Sequence, residues 1–210
     1  MTDSLRPLFL TLEGGDGVGK STQQRLLAQW FREAGREVVE TREPGGTVLG
    51  KELRALILHG GYVDPRAEAL MFAADRAHHI ATLVRPALER GAVVVQDRYL
   101  DSSVAYQGAA RDLDVDDVRG LSLWATRGLL PDATILLDLD PESARLSGPK
   151  DRLEREGGEF HAAVRMRFLD MAAQEPERWI VIDASGTVDE VQAAIRAALS
   201  SRGLSAEPRP

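Results

Sequence analysis

"LEGGDGVGKST", residues 12–22, decides the fold class of this chain. Within it, Gly14, Gly15, Asp16, Gly17, Val18, Gly19, Lys20 and Ser21 fit the pattern G-x-x-x-x-G-K-[ST] without mismatch, and Thr22 follows. The glycines let successive backbone N–H groups turn inward around a phosphate, because no Cβ blocks the required torsions. Lys20 is then placed to reach the β- and γ-phosphates of a nucleoside triphosphate, and Ser21 offers a hydroxyl to Mg²⁺. The flanks agree. Leu8-Phe9-Leu10-Thr11-Leu12 reads as a short apolar strand. Leu26, Leu27, Trp30, Phe31 and Ala34 recur at helical spacing, and Gly35 stands where a helix stops. Strand, glycine loop and helix in that order point a helix N-terminus at an anion. The phosphates of a nucleoside triphosphate are the expected ligand.

Working outward, 210 residues suffice for one domain with a substantial core. The net charge of −7 disfavours a nucleic-acid or anionic-membrane partner. No cysteine is present, so neither a disulfide framework nor a thiolate metal site is expected. His59, His78, His79 and His161 have no metal-ligand spacing. No apolar run approaches membrane-spanning length and the start, MTDSLRP, has no signal-peptide core, so the expected location is cytoplasmic.

Five segments read as strands: 8–13, 37–41, 92–97, 133–138 and 179–183. The third and fourth are continuous apolar runs, as in strands buried on both faces of a parallel sheet. Helical patterns occupy 66–90, with a disturbance expected at Pro86, and 114–127 and 159–174. Thr187-Val188-Asp189-Glu190 reads as a capping box opening a last helix. Alternating strands and helices predict an α/β fold, a doubly wound, mainly parallel five-stranded sheet with helices on both faces. With the phosphate loop this is the P-loop NTPase fold. The expected layout is a single domain over 1–200, a short lid at about 143–158 and a disordered tail over 201–210. Residues 98–112 and 145–158 break the regular rhythm, and ligands collect beyond the carboxyl ends of such strands.

Phosphate loops serve many reactions, so the fold cannot choose among them. A regulatory GTPase would need an N-K-x-D guanine reader, which is absent. Thr41-Arg42-Glu43-Pro44-Gly45-Gly46-Thr47, then Phe72-Ala73-Ala74-Asp75-Arg76, then Asp97-Arg98-Tyr99 with Ser102, Ser103, Tyr106 and Gln107 closely resembles the thymidylate kinase family. Asp151-Arg152-Leu153-Glu154 and Ile182-Asp183-Ala184 fit the same family, and the resemblance covers about residues 8–199.

That resemblance implies transfer of the γ-phosphoryl group of ATP to dTMP, with Mg²⁺, in a homodimer. It implies that Asp16 accepts a hydrogen bond from the sugar 3′-hydroxyl, that Phe72 stacks on thymine and that Arg76 bonds a thymine carbonyl. Arg98 resembles the arginine that grips the acceptor phosphate, a task suited to a planar fork. Tyr106, with Ser102, Ser103 and Gln107, lines base and sugar, and Pro44 walls the site. Asp97 is the expected partner of a Mg²⁺-bound water alongside Ser21, with Asp138 as the rival. Gly17 occupies the loop position where some members carry an arginine, so the cation over the donor phosphates is expected from the lid, as Arg152 helped by Lys150. Two rivals stand beside this reading: a kinase for another nucleoside monophosphate or a deoxynucleoside, and a partition-type ATPase that binds DNA. The second usually places a lysine early in its loop, where this chain has Glu13-Gly14-Gly15.

Overall fold

The computed structural model describes residues 6–109, 113–144 and 151–206. The strands are β1 (Leu8–Glu13), β2 (Val38–Arg42), β3 (Val93–Asp97), β4 (Ala133–Asp138) and β5 (Trp179–Asp183). They form one sheet in the order β2-β3-β1-β4-β5, with every pairing parallel. The expected five strands are therefore all present, and the sheet is wholly rather than mainly parallel. The helices are α1 (Lys20–Glu33), α2 (Val48–His59), α3 (Pro65–His79), α4 (Arg85–Glu89), α5 (Leu100–Ser103), α6 (Val115–Thr126), α7 (Gly158–Gln174) and α8 (Val188–Ser201).

Side chains alternate across each strand. Leu8, Leu10 and Leu12 pack with Val93, Val95, Ile135 and Leu137 against Leu27 and Phe31 of α1 and Ile195 and Leu199 of α8. Phe9 and Val94 point the other way and meet Val84, Tyr99 and Leu100. On the same side Leu136 joins Tyr106, Val164 and Phe168. Burial on both faces explains why β3 and β4 read as unbroken apolar runs.

Local sequence sets several boundaries. Thr187 caps α8 by accepting from the Glu190 N–H, while Glu190 returns the bond to the Thr187 N–H, completing the expected capping box. The 66–90 pattern is divided. After α3 the chain widens into a π turn over Ile80–Val84 before α4, whose second residue is Pro86. A proline lacks the N–H that would bond four residues back, and the wider turn takes up that misfit. Helix α2 is not among those the periodicity gives. Its apolar residues do not share one buried face, for Val48 and Leu56 are exposed while Ile57 and Leu58 are buried. Thr47 nevertheless caps it by accepting from the Gly50 N–H at 2.9 Å.

The expected tail requires correction over 201–206. Ser201 ends α8, and Leu204 and Ala206 are buried in the core beside Leu199. Two small apolar contributions were hidden by the polar composition around them. Residues 207–210 lie outside the described residues, as do Arg145 and Lys150 of the expected lid.

Candidate active site

Strands β1 and β3 pair with Leu12 opposite Asp97, so the loop after β1 and the turn after β3 begin side by side. This brings the glycine loop and Arg98 to one place. Arg98 has φ 64°, left-handed backbone that costs a non-glycine residue about 1–3 kcal/mol. Its neighbours hold it there. The Arg98 N–H donates to the Leu12 carbonyl at 2.9 Å, and Gln96 Nε2 donates to the Arg98 carbonyl at 3.0 Å. Next along the chain, the Tyr99 N–H donates to Glu13 Oε1 at 2.8 Å.

The Arg98 guanidinium donates to the Gly14 carbonyl at 3.2 Å, to Ser102 Oγ at 3.1 Å and to the Tyr106 hydroxyl at 3.2 Å, and it pairs with Asp16. The Tyr106 hydroxyl also donates to Asp16 Oδ2 at 3.0 Å. Burial would raise the Asp16 carboxyl, but Arg98 and then Lys20 outweigh it and hold it at about 2. The carboxylate is therefore ionised under any ordinary condition. Burial, then the nearby Asp101 charge, pushes Glu13 up to about 8, although Ser102 donates to its Oε2 at 2.6 Å. Lys20 lies folded on its own loop, donating to the Gly14 carbonyl at 3.1 Å and to that of Gly15. Burial, with Arg98 close by, lowers the Lys20 ammonium to about 8. An incoming phosphate would restore the charge and supply a better acceptor than the carbonyls.

Ser21 Oγ donates to Asp97 Oδ2 at 3.0 Å, and Asp97 Oδ1 is buried with no protein partner. A hydroxyl and a carboxylate with one unsatisfied oxygen, at the start of α1, fit a hard divalent cation that takes oxygen ligands. The rival Asp138 is occupied otherwise, accepting from Arg165 Nε at 2.7 Å and Nη2 at 3.0 Å.

Asp16, Pro44, Phe72, Arg76, Arg98, Ser102, Ser103, Tyr106 and Gln107 all line one cavity. Every residue expected at the acceptor is thus brought together there. Arg76 is fully buried, held by Glu43 at 2.8 Å, by Ser122 Oγ at 3.1 Å, and by the Tyr99 carbonyl and Ser103 Oγ at 3.2 Å each. Glu43 is itself anchored by His79 at 2.8 Å, whose other ring nitrogen meets Thr41 Oγ1 at 2.7 Å. The second glycine of the TREPGGT stretch follows from this crowding: a Cβ on Gly46 would lie 2.6 Å from both His79 Nε2 and Thr41 Oγ1.

A second cavity holds Asp16, Gly17, Gly19, Lys20, Ser21, Thr22 and Asp97 together with Arg42 and Arg54. A third runs from Gly17, Val18 and Gly19 to Ala184, Ser185, Gly186 and Val188. Gly14 and Gly15 close the loop on the Asp138 side. Asp16, Glu43, Arg54, Arg98 and Glu154 line both the first cavity and the second, so the two open on each other.

Sequence reading missed Arg42, Arg54 and Glu43. Arg54 donates to the Pro44 carbonyl at 3.0 Å and sits on α2, the helix that periodicity does not give. The signal for Arg42 and Glu43 is their place inside the TREPGGT stretch itself. Arg152 is not brought to the phosphate loop: its guanidinium pairs with Glu68 and donates to the Ile57 carbonyl at 3.0 Å. Lys150 lies outside the described residues.

The thymidylate kinase family profile matches residues 12–195. A thymidylate kinase of Leifsonia xyli subsp. xyli is 64% identical over 201 residues, covering 93% of this chain and 95% of the relative. One from Synechococcus sp. (strain JA-3-3Ab) is 50% identical over 204 residues, covering 97% of this chain and all of its own. The crystal structure of thymidylate kinase from Ehrlichia chaffeensis superposes with a TM-score of 0.77 at 32% identity, covering 92% of this chain and 99% of that one.

Proposed function

The chain belongs to the thymidylate kinase family, an ATP-dependent kinase family that phosphorylates dTMP to dTDP, and from that premise we propose how its residues divide the work. The β- and γ-phosphates of ATP lie on the Gly14–Thr22 loop amides and Lys20, with the base toward Ala184–Val188. The acceptor dTMP fills the first cavity. Phe72 stacks on thymine, Arg76 bonds a ring carbonyl, and Ser103 and Gln107 border the base. Pro44 walls the site, and Tyr106, Ser102 and Asp16 meet the sugar.

Arg98 grips the acceptor phosphate with its fork, and Arg42 and Arg54 add charge from the β2 side. The acceptor oxygen bonds to the γ-phosphorus as the bond to the β-γ bridging oxygen breaks, and that electron pair leaves on ADP. No protein nucleophile is needed, because the acceptor is already anionic. Positioning and charge stabilisation carry the rate. Mg²⁺ bound by Ser21 and Asp97 would neutralise charge on the donor phosphates.

The observation that carries this reading is that Arg98 and Asp16 line both cavities, so an acceptor phosphate on Arg98 faces the glycine loop. A coupled ADP-release assay across acceptors tests it. We expect turnover in the order dTMP, then dUMP, with dCMP and thymidine far behind. The thymine methyl group contributes only about 1–3 kcal/mol in a fitted pocket, so dUMP remains a real substrate. Equal or faster turnover of dCMP or thymidine would sink the assignment.

A homodimer and a cytoplasmic location belong to the same reading. Leu70, Ala74, Ala77 and Ala81 follow one helical face, and Ala77 and Ala81 share a surface hollow with Trp124, which is 79% exposed. Contiguous apolar surface of this kind marks an association face. Charged nucleotides do not cross membranes unaided, and no helix among the described residues is long and apolar enough to span one. Trp124→Glu is expected to convert the dimer to a monomer in size-exclusion chromatography with light scattering. An unchanged mass would remove this face from consideration.

A further inference from the structure

Arg152 is the residue whose position departs most from its expected task. It stands in a short locked turn. Asp151 Oδ1 accepts from the N–H groups of Leu153 and Glu154 at 2.9 Å each, and Glu154 Oε2 accepts from the Asp151 N–H at 3.0 Å. Leu153 is buried, and Asp151, Leu153 and Glu154 form part of the lining of the acceptor cavity.

The main-chain N–H of Arg152 donates to the Leu58 carbonyl at 3.2 Å, and its Nε donates to the Ile57 carbonyl at 3.0 Å. Both carbonyls belong to the last turn of α2, where a helix leaves its C=O groups without internal partners and favours a cation. The same guanidinium pairs with Glu68, which sits in the first turn of α3 and is fully buried. The arginine therefore bridges the negative end of one helix and an acid at the positive end of the next. Glu68 Oε1 accepts from Gln107 Nε2 at 3.0 Å, and Gln107 lines the acceptor cavity.

Resting on the acceptor assignment above, we propose that Arg152 is a positioning residue for the nucleotide acceptor. It clamps the 151–154 turn over the cavity through α2 and Glu68, and Glu68 in turn sets Gln107 against the base. It acts through these groups and does not meet the phosphoryl group in transit. Lys20, Arg42, Arg54 and Arg98, by contrast, line the second cavity together with Gly17, Gly19 and Ser21 of the glycine loop.

The two roles separate in kinetics, since loss of a ground-state contact weakens binding and loss of a transition-state contact lowers kcat. The experiment compares the full chain with Arg152→Gln, Arg152→Lys, Glu68→Gln and the Glu68→Gln/Arg152→Gln double variant. It measures dTMP binding by calorimetry without ATP, and kcat and KM for both substrates. We expect Arg152→Gln to weaken dTMP binding about ten-fold, the loss of one charge-assisted contact. Its kcat should stay within about three-fold and its KM for ATP should not move. Glu68→Gln should behave alike, and the double variant should be no worse than the poorer single, because the two residues act as one unit. Arg152→Lys should recover part of the loss. A fall in kcat of about 100-fold with unchanged dTMP binding, the mark of a lost transition-state charge contact, would overturn the proposal. So would additive losses, or no change in either quantity. Phe72→Ala is the control, since it touches the same cavity without touching Arg152. If dTMP binds it as tightly as the parent, the acceptor assignment has failed, which is a different result.

Discussion

Replacing Arg98 with alanine is expected to lower kcat/KM for dTMP about 1,000-fold, roughly 4 kcal/mol of transition-state stabilisation. Three features set that size. The guanidinium is largely shielded from solvent and held between four partners, so it is pre-oriented for a phosphate rather than recruited from solvent. Its fork matches two phosphate oxygens at once. Its loss also strips Asp16 of its main counter-charge, the first influence that holds its carboxyl low, and leaves a carboxylate without that partner facing the place where an anion must arrive. Alanine keeps the Cβ and so the same left-handed strain at φ 64°, which makes the comparison one of side-chain function. Arg98→Lys should recover about ten-fold, since it returns the charge without the fork. Steady-state ADP release at varied dTMP reads the effect directly. Activity within ten-fold of the parent for Arg98→Ala would mean that the acceptor phosphate is held elsewhere.

How much of this arrangement could be read in advance depended on how far apart in sequence the partners lie. The strand-loop-helix around Lys20 is a local pattern, and periodicity placed all five strands to within a residue or so of their observed ends. The motif resemblance brought Phe72, Arg76, Arg98 and Tyr106 to one cavity. Contacts with no local signature were not legible. Arg152 and Glu68 stand 84 positions apart, and only the packing of α2 beside α3 makes them meet. A cation in a lid-like segment therefore read as a phosphate ligand. Arg42 and Arg54 were overlooked for a related reason: one ends an edge strand and the other rides on a helix whose exposed Val48 and Leu56 blur its apolar face. Asp97 over Asp138 was a choice between two strand ends with similar sequences. The observed pairing of Asp138 with Arg165 leaves Asp97 as the carboxylate beside Ser21.

Arg178→Met is expected to destabilise the fold by about 3–5 kcal/mol, because it leaves a buried carboxylate without its counter-charge. Arg178 Nη1 and Nη2 donate to the two oxygens of Asp101 at 2.7 and 2.9 Å, and Asp101 is completely buried. The same guanidinium bonds Thr134 Oγ1 at 2.8 Å and Glu175 Oε2 at 2.8 Å, so one side chain ties α5 to β4 and the end of α7. Burial works against the Arg178 charge, but Asp101 more than offsets it and raises its pKa. For a chain of this length the melting temperature should fall by about 6–20 °C. The double replacement Asp101→Leu/Arg178→Met should recover most of that loss, since a buried ion pair can be exchanged for apolar side chains of similar volume at little cost. It also removes the Asp101 charge that helps to push Glu13 up to about 8. Because Asp101 sits between Leu100 and Ser102, the Arg178→Met protein assayed below its melting temperature should lose affinity for dTMP before it loses affinity for ATP. Urea unfolding of the two singles and the double closes the cycle. A single variant within about 1 kcal/mol of the parent, far under the usual cost of an unpaired buried charge, would show that Asp101 finds water or protonates there.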